Sequence, residues 1–203
     1  MNLKTGLKMA NSFTTEDADK WYLRNRDKFL TRETDPIMKA VRSIETKPRT
    51  VFEFGCSDGY RLQWMHEEFG SVVAGVELSP EAIKNGKPNV YIEQGNIESY
   101  KPEFKHDLVV FGFCLYLLDV NDLFSVASKA NELLHNNGHI IIWDYNTTGH
   151  KFREYIHSRN VEEHHMDFSK MFTWNPLYWF IDIDTTAPEG PVITLRKNDK
   201  NCI

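Results

Sequence analysis

The chain has 203 residues, 41% of them hydrophobic, 13% aromatic and 26% charged. That supplies a sizeable core for a chain of one-domain length and excludes intrinsic disorder and collagen-like repeats. Its 24 basic and 29 acidic side chains leave a formal net charge of −5, the wrong sign for a nucleic-acid-binding stripe. The longest apolar run, Leu108 to Leu118, falls short of the roughly 20 residues that cross a membrane. Cys56, Cys114 and Cys202 are scattered, with no CxxC pair, against both a disulfide framework and a structural metal site. Residues 1 to 12 hold no continuous apolar stretch, so no secretory signal is read and a cytoplasmic protein is expected.

In chain order, residues 1 to 15 read as a loose tail. Thr15 is expected to cap a first helix carrying Ala18, Trp21, Tyr22 and Phe29. Pro36 opens a second, with Ile37, Val41 and Ile44 on one face. Short apolar runs follow at 50–54, 72–77, 90–92, 108–113 and 139–143. Between them lie amphipathic stretches at 60–68, 80–85 and 122–134, the last with Leu123, Val126, Ala130 and Leu133 on one face and Gly138 beyond its end. After Tyr145 the alternation weakens, and 178–185 and 192–196 read as two last strands. Strands alternating with helices require crossover connections. The fold expected is α/β: a Rossmann-like, seven-stranded, mostly parallel sheet with helices on both faces and an antiparallel C-terminal hairpin.

In such a sheet, ligands bind beyond the carboxyl ends of the strands. The first strand-to-helix turn reads Glu53-Phe54-Gly55-Cys56-Ser57-Asp58-Gly59-Tyr60, with two glycines four apart, which lets the backbone turn tightly and approach a ligand. Glu77 ends the next strand, eighteen residues past Gly59, where a carboxylate accepts both hydroxyls of a ribose. A dinucleotide site would carry G-x-G-x-x-G for its pyrophosphate. Here Ser57 takes the middle position, and Glu53 and Asp58 flank the loop. Two carboxylates repel a diphosphate and suit an ammonium and a sulfonium, so the residues point to S-adenosylmethionine rather than NAD.

This segment resembles motif I of the class I S-adenosylmethionine-dependent methyltransferases, D/E-x-G-x-G-x-G, and the match covers most of residues 50 to 146. The resemblance implies that Glu53 helps hold the methionine moiety, that the turn Gly55, Cys56, Ser57 and Gly59 faces the cofactor, and that Glu77 and Leu78 hold the ribose. It further implies Gly95, Asn96 and Ile97 at the adenine and Phe113 at the sulfur end. Ser57 departs from the family's middle glycine. The whole chain also looks like the small methyltransferases associated with pseudaminic acid and other surface-sugar pathways, through Trp21-Tyr22-Leu23-Arg24-Asn25-Arg26, Asp144-Tyr145-Asn146 and Met166-Asp167-Phe168. On that likeness Tyr22 and Arg24 close over the cofactor carboxylate. Residues 1–203 then form a single methyltransferase domain: an N-terminal helical cap (1–48), a cofactor-binding core (49–146), and a substrate-side segment with the last strands (147–203).

A sugar hydroxyl is a poor nucleophile and needs a base, for which His165, Asp167, Asp144 and His150 compete. Glu162-Glu163-His164-His165 reads as a solvated polar segment rather than a metal site, because adjacent side chains point in different directions. Asn175-Pro176-Leu177-Tyr178 lies too far along the chain to be the Asn-Pro-Pro-Tyr of adenine-N6 methyltransferases. It reads as a turn, with Trp174, Tyr178 and Trp179 packing over or lining a substrate pocket. The expected activity is methylation of a small molecule, such as a nucleotide sugar or glycan precursor, at oxygen or nitrogen. A non-sugar acceptor, or a non-catalytic cofactor-binding module, is the alternative. No metal, nucleic acid or membrane partner is expected, and the chain is read as a monomer or homodimer.

Overall fold

The computed structural model describes residues 13–97, 100–101, 103–158 and 161–199. Residues 1 to 12 of the tail read over 1 to 15, and Cys202, lie outside them, while Thr14 and Thr15 of that tail already belong to the first helix and its cap. Helix α1 (Thr15–Asn25) is capped by Thr14 rather than Thr15, in a reciprocal box with Asp17. It ends at Asn25 and tightens into one 3-10 turn (Arg26–Lys28). Phe29 therefore lies outside the helix, stacked on Tyr60 with ring centroids 4.5 Å apart. Helix α2 (Pro36–Ser43) starts at its proline, and the Asp35 side chain accepts from the Met38 N–H.

The chain then alternates β1 (Thr50–Phe54), α3 (Tyr60–Phe69), β2 (Val72–Glu77), α4 (Pro80–Lys84), β3 (Tyr91–Gln94), β4 (His106–Gly112), α5 (Leu123–Leu133) and β5 (Leu134–Trp143). The remainder is β6 (Lys151–Glu154), β7 (Glu162–His165), α6 (Lys170–Thr173), β8 (Tyr178–Asp184) and β9 (Val192–Lys197). Seven strands form one sheet in the order β3-β2-β1-β4-β5-β9-β8. The first five run parallel, while β9 is antiparallel to β5 and β8 to β9. This is the expected fold, and its strand order reverses between β1 and β4.

Side chains alternate across the central strands as the pleat requires. Phe52, Phe54, Val109, Phe111, Ile140 and Ile142 pack on the face covered by α5. Val51, Leu108, Val110 and Ile141 pack on the other, against Ile37 and Val41 of α2 and Leu62 and Met65 of α3. With both faces covered, these strands carry near-continuous apolar runs, interrupted in β1 by Glu53, which is why they stand out in the sequence.

Three expectations are corrected. Gly138 lies inside β5, which begins at Leu134 directly after α5. There it lets the strand pack closely, since a Cβ would fall 2.8 Å from Leu134 Cδ1. The segment Glu162 to His165 is strand β7, paired antiparallel with β6; Glu163 and His164 are buried, at 4% and 3% exposure. Trp174 and Trp179 are exposed and line neither of the cavities described below, while Tyr178 is buried and donates to Asn131 Oδ1 at 2.9 Å.

Candidate active site

The turn after β1 sits at the strand-order reversal. Gly55 has φ 63°, and a Cβ there would stand 2.9 Å from Cys114 Cβ, so only glycine fits. Ser57, where the motif carries its middle glycine, holds the same left-handed region at φ 56°. Phe113, just past β4, does so at φ 54°. Side-chain-bearing residues held in that region mark backbone that the surroundings over-determine, a frequent property of functional sites. Ser57 Oγ is buried and has no hydrogen-bond partner among the described residues.

Glu77 ties the turn to the next helix. Its Oε2 accepts from the Ser57 N–H at 2.8 Å and its Oε1 from the Ser79 N–H at 2.8 Å. Burial pushes its carboxyl upward, opposed by these backbone donors. The carboxylate faces a cavity lined by Gly55, Ser57 and Leu78 at the ends of β1 and β2, by Gly95, Asn96 and Ile97 after β3, and by Phe113 after β4. Tyr22 and Trp21 of α1 form the opposite wall. Helix α1 is fastened at two points. Asp19 Oδ1 accepts from Ser79 Oγ at 2.5 Å and from the Glu81 N–H at 3.0 Å. Trp21 Nε1 donates to Tyr116 OH at 3.0 Å, and Arg24 Nη2 to Tyr155 OH at 2.8 Å.

Four residues expected at the cofactor lie elsewhere. Glu53 is fully buried beneath the turn, where Arg61 Nη1 donates to its Oε1. Arg61 Nε also donates to Asp35 Oδ2 at 3.1 Å, so one buried guanidinium holds two carboxylates. Burial pushes the Glu53 carboxyl up, against the pull of Arg61, and its Oε2 has no hydrogen-bond partner among the described residues. Asp58 pairs with Lys87 at 2.9 Å. The two carboxylates read as repelling a diphosphate are therefore both matched by cations, which removes that argument against one. Cys56 is buried under the turn against Gly75, and Gly59 is the N-cap of α3 against Val90. Arg24 lines a second cavity, not the first.

That second cavity adjoins the first across a shared wall of Trp21, Gly112 and Phe113. Tyr116, Tyr145 and Trp143 continue the wall; the Phe113 ring meets Trp143 at 4.7 Å and Tyr145 at 5.2 Å, both edge to face. Glu163 enters from β7. Arg153 Nε donates to its Oε1, and His165 Nε2 lies 3.3 Å from the same oxygen. His165 stacks on Tyr145 at 4.2 Å, one layer behind the cavity wall.

The other base candidates do not line either cavity. Asp144 is fully buried, and burial pushes its carboxyl up to about 7, opposed by backbone donors. Its Oδ2 accepts from the Leu115 N–H at 2.9 Å and the Tyr116 N–H at 3.4 Å, and its Oδ1 from the Tyr145 N–H at 2.8 Å. It thereby holds the loop after β4 against the end of β5. Asp167 accepts from the Ser169 N–H and Oγ at the start of α6. His150 Nε2 lies 3.0 Å from His164 Nδ1. Arg61, Asp35, Glu163 and Tyr145 were not singled out for these positions; Asp35-Pro36 signals a helix start, but nothing local marks the other three. Among the described residues, no three His, Cys, Asp or Glu side chains come together around a point where a metal could sit, and no helix is long and apolar enough to cross a membrane.

A family model described as a methyltransferase domain matches residues 22–177. No curated protein matches the chain. Similar solved structures include the Burkholderia thailandensis 1,6-didemethyltoxoflavin-N1-methyltransferase, at 17% identity and a TM-score of 0.73, with 91% of this chain and 87% of that one covered. Streptomyces venezuelae DesVI is 15% identical, with a TM-score of 0.66 and coverage of 93% and 100%. CalS10, an amino pentose methyltransferase from Micromonospora echinaspora, is 14% identical, with a TM-score of 0.65 and coverage of 92% and 98%. At these identities the likeness is one of fold.

Proposed function

Because the chain belongs to the methyltransferase-domain family, we propose that it transfers a methyl group from S-adenosylmethionine to a small ring-bearing molecule, such as a sugar or surface-glycan precursor. The observation that carries this is the pair of cavities meeting at Phe113, one bordered by a strand-end carboxylate and the other walled by aromatic rings. The first fits the cofactor. Ser57 Oγ is a buried polar atom in want of a partner, and each Glu77 oxygen keeps lone-pair capacity for a ribose hydroxyl. Gly95, Asn96 and Ile97 border the adenine end, and Tyr22 covers the nucleoside. When bound, S-adenosylmethionine supplies a methyl carbon activated by a sulfonium. Phe113 and Tyr116 set aromatic faces at that junction, worth about 0.5–2 kcal/mol toward a cation. Similar solved structures include a 1,6-didemethyltoxoflavin-N1-methyltransferase and an amino pentose methyltransferase, which supports a small-molecule acceptor.

Of the base candidates, His165 is reached from the acceptor side through Glu163. Glu163 accepts the proton from the acceptor's N–H or O–H as the new bond to carbon forms, and the hydrogen bond from Arg153 keeps the carboxylate oriented, with His165 packed behind it. Asp144 is a positioning residue for Leu115 and Tyr116, and Asp167 holds Ser169, the N-cap of α6. The test has two parts. Calorimetry with S-adenosylhomocysteine should give saturable binding, and mass spectrometry after incubation with labelled S-adenosylmethionine and small amino and hydroxy sugars should find a methylated product. Glu163→Gln should then lower turnover by about 10²–10⁴-fold with S-adenosylhomocysteine affinity kept. Absence of S-adenosylhomocysteine binding refutes the function; full turnover in the variant refutes the base.

A further inference from the structure

The second cavity is unevenly charged. Arg24 from α1, Lys28 from the 3-10 turn after it, and His157 from the loop after β6 all line it. Slight desolvation of the exposed His157, then Arg24 and more weakly Lys28, press its protonation down, while Glu163 opposes them. Among the described residues, none of the three has a carboxylate within ion-pair distance. The other two arginines of the cavity are matched: Arg61 by Asp35 and Glu53, and Arg153 by Glu163. Arg24 is held in place by a neutral group, Tyr155 OH, which aims the guanidinium without cancelling its charge. Away from this rim the walls are rings, with Trp143 and Tyr145 beside Phe113 and Glu189 beyond them.

A cavity with flat apolar walls and an unmatched basic rim selects rings that carry negative charge. We propose that the methyl acceptor is such an anion, a ring-bearing carboxylate or phosphate whose charge docks on Arg24 and Lys28, with the His157 ring as a further N–H donor, while its nucleophilic atom points to the Phe113 boundary. This rests on the second cavity being the acceptor site. It also assigns Arg24 to the acceptor instead of to the cofactor's carboxylate, because Arg24 borders only the second cavity of the two.

Trp21 and Trp143 line the cavity and report binding by fluorescence. The intact protein, saturated with S-adenosylhomocysteine, is titrated with benzoate, phenyl phosphate, benzyl alcohol and benzylammonium. At least one of the two anions should bind about tenfold more tightly than the alcohol or the ammonium and weaken as salt rises; the tighter anion tells carboxylate from phosphate. Lys28→Gln should weaken that anion about tenfold, leaving benzyl alcohol and S-adenosylhomocysteine affinities as they were. Arg24→Gln, which also gives up the bond to Tyr155 OH, should weaken the anion far more than it weakens benzyl alcohol. Lys28 is exposed, so its replacement tests the charge without risk to the core. The proposal is overturned if benzylammonium matches the anions, if no anion binds saturably, if neither variant alters anion binding, or if the variants weaken S-adenosylhomocysteine instead. Loss of S-adenosylhomocysteine binding by the unmodified protein would refute the methyltransferase reading itself, which these outcomes leave standing.

Discussion

Glu77→Gln keeps the shape of the side chain and exchanges one acceptor oxygen for an NH₂ group. Both carboxylate oxygens are engaged, one by the Ser57 N–H and one by the Ser79 N–H, each at 2.8 Å. Whichever way the amide turns, a donor then faces a donor, and one charge-assisted bond of about 1.5–3 kcal/mol is lost. Ser57 is 7% exposed and Ser79 1% exposed, so water does little to compensate the freed N–H. We expect unfolding in urea to show a loss of about 2 kcal/mol. The same change removes the anion offered to the ribose, and calorimetry should show S-adenosylhomocysteine binding ten- to a hundredfold more weakly, about 1.4–2.8 kcal/mol. A loosened turn would weaken any ligand, so the decisive comparison is with the 2′,3′-dideoxy analogue. The unmodified protein should prefer the natural nucleoside and the variant should lose that preference, with Glu81→Ala as a control that retains it. A Glu77→Gln protein that discriminates as the unmodified one does would refute the ribose assignment.

Gly55→Ala forces a Cβ into the left-handed region at φ 63° and within 2.9 Å of Cys114 Cβ; we expect about 1–2 kcal/mol of destabilisation and weaker S-adenosylhomocysteine binding. Pairing it with Cys114→Gly, which removes the Cβ in the way, should recover part of the loss in thermal melts. The pH dependence of stability should carry the mark of His106, whose imidazole is pushed down to about 4, chiefly by burial. A base with a lowered folded-state pKa lends stability that is complete above its ordinary value of about 6.5 and disappears as the pH falls through 4. Partial exposure limits this to about 1–2 kcal/mol. Urea unfolding at pH 7 and pH 4 should show His106→Gln losing less on acidification than the unmodified protein, and equal losses would remove His106 as the cause.

The cofactor side was legible because its signals are local. Val51, Phe52 and Phe54 of β1 and Leu108 to Phe111 of β4 are apolar on both faces, and Gly55 and Glu77 act through backbone conformation and strand-end position, both readable from spacing. The acceptor side was not, because its chemistry comes from pairing distant segments. Lys151 to Glu154 and Glu162 to His165 are polar in isolation, and only their hairpin turns Glu163 inward to meet Arg153. Arg61 looks like an ordinary polar residue of α3, and its burial follows from Asp35 and Glu53 arriving from two other elements. The carboxylate reasoning at Glu53 and Asp58 failed for the same reason, since the cations that match them lie eight and twenty-nine residues away in the chain.

The double fastening of α1 has a kinetic consequence. Asp19 grips the start of α4 while Trp21 and Arg24 reach the tyrosines at 116 and 155, so one helix supplies a wall to each of the two cavities. Neither chamber opens wide without disturbing the other. If the two cavities hold donor and acceptor as proposed, severing the Asp19 contact should shorten the dwell of both ligands, which stopped-flow fluorescence of Trp21 would read.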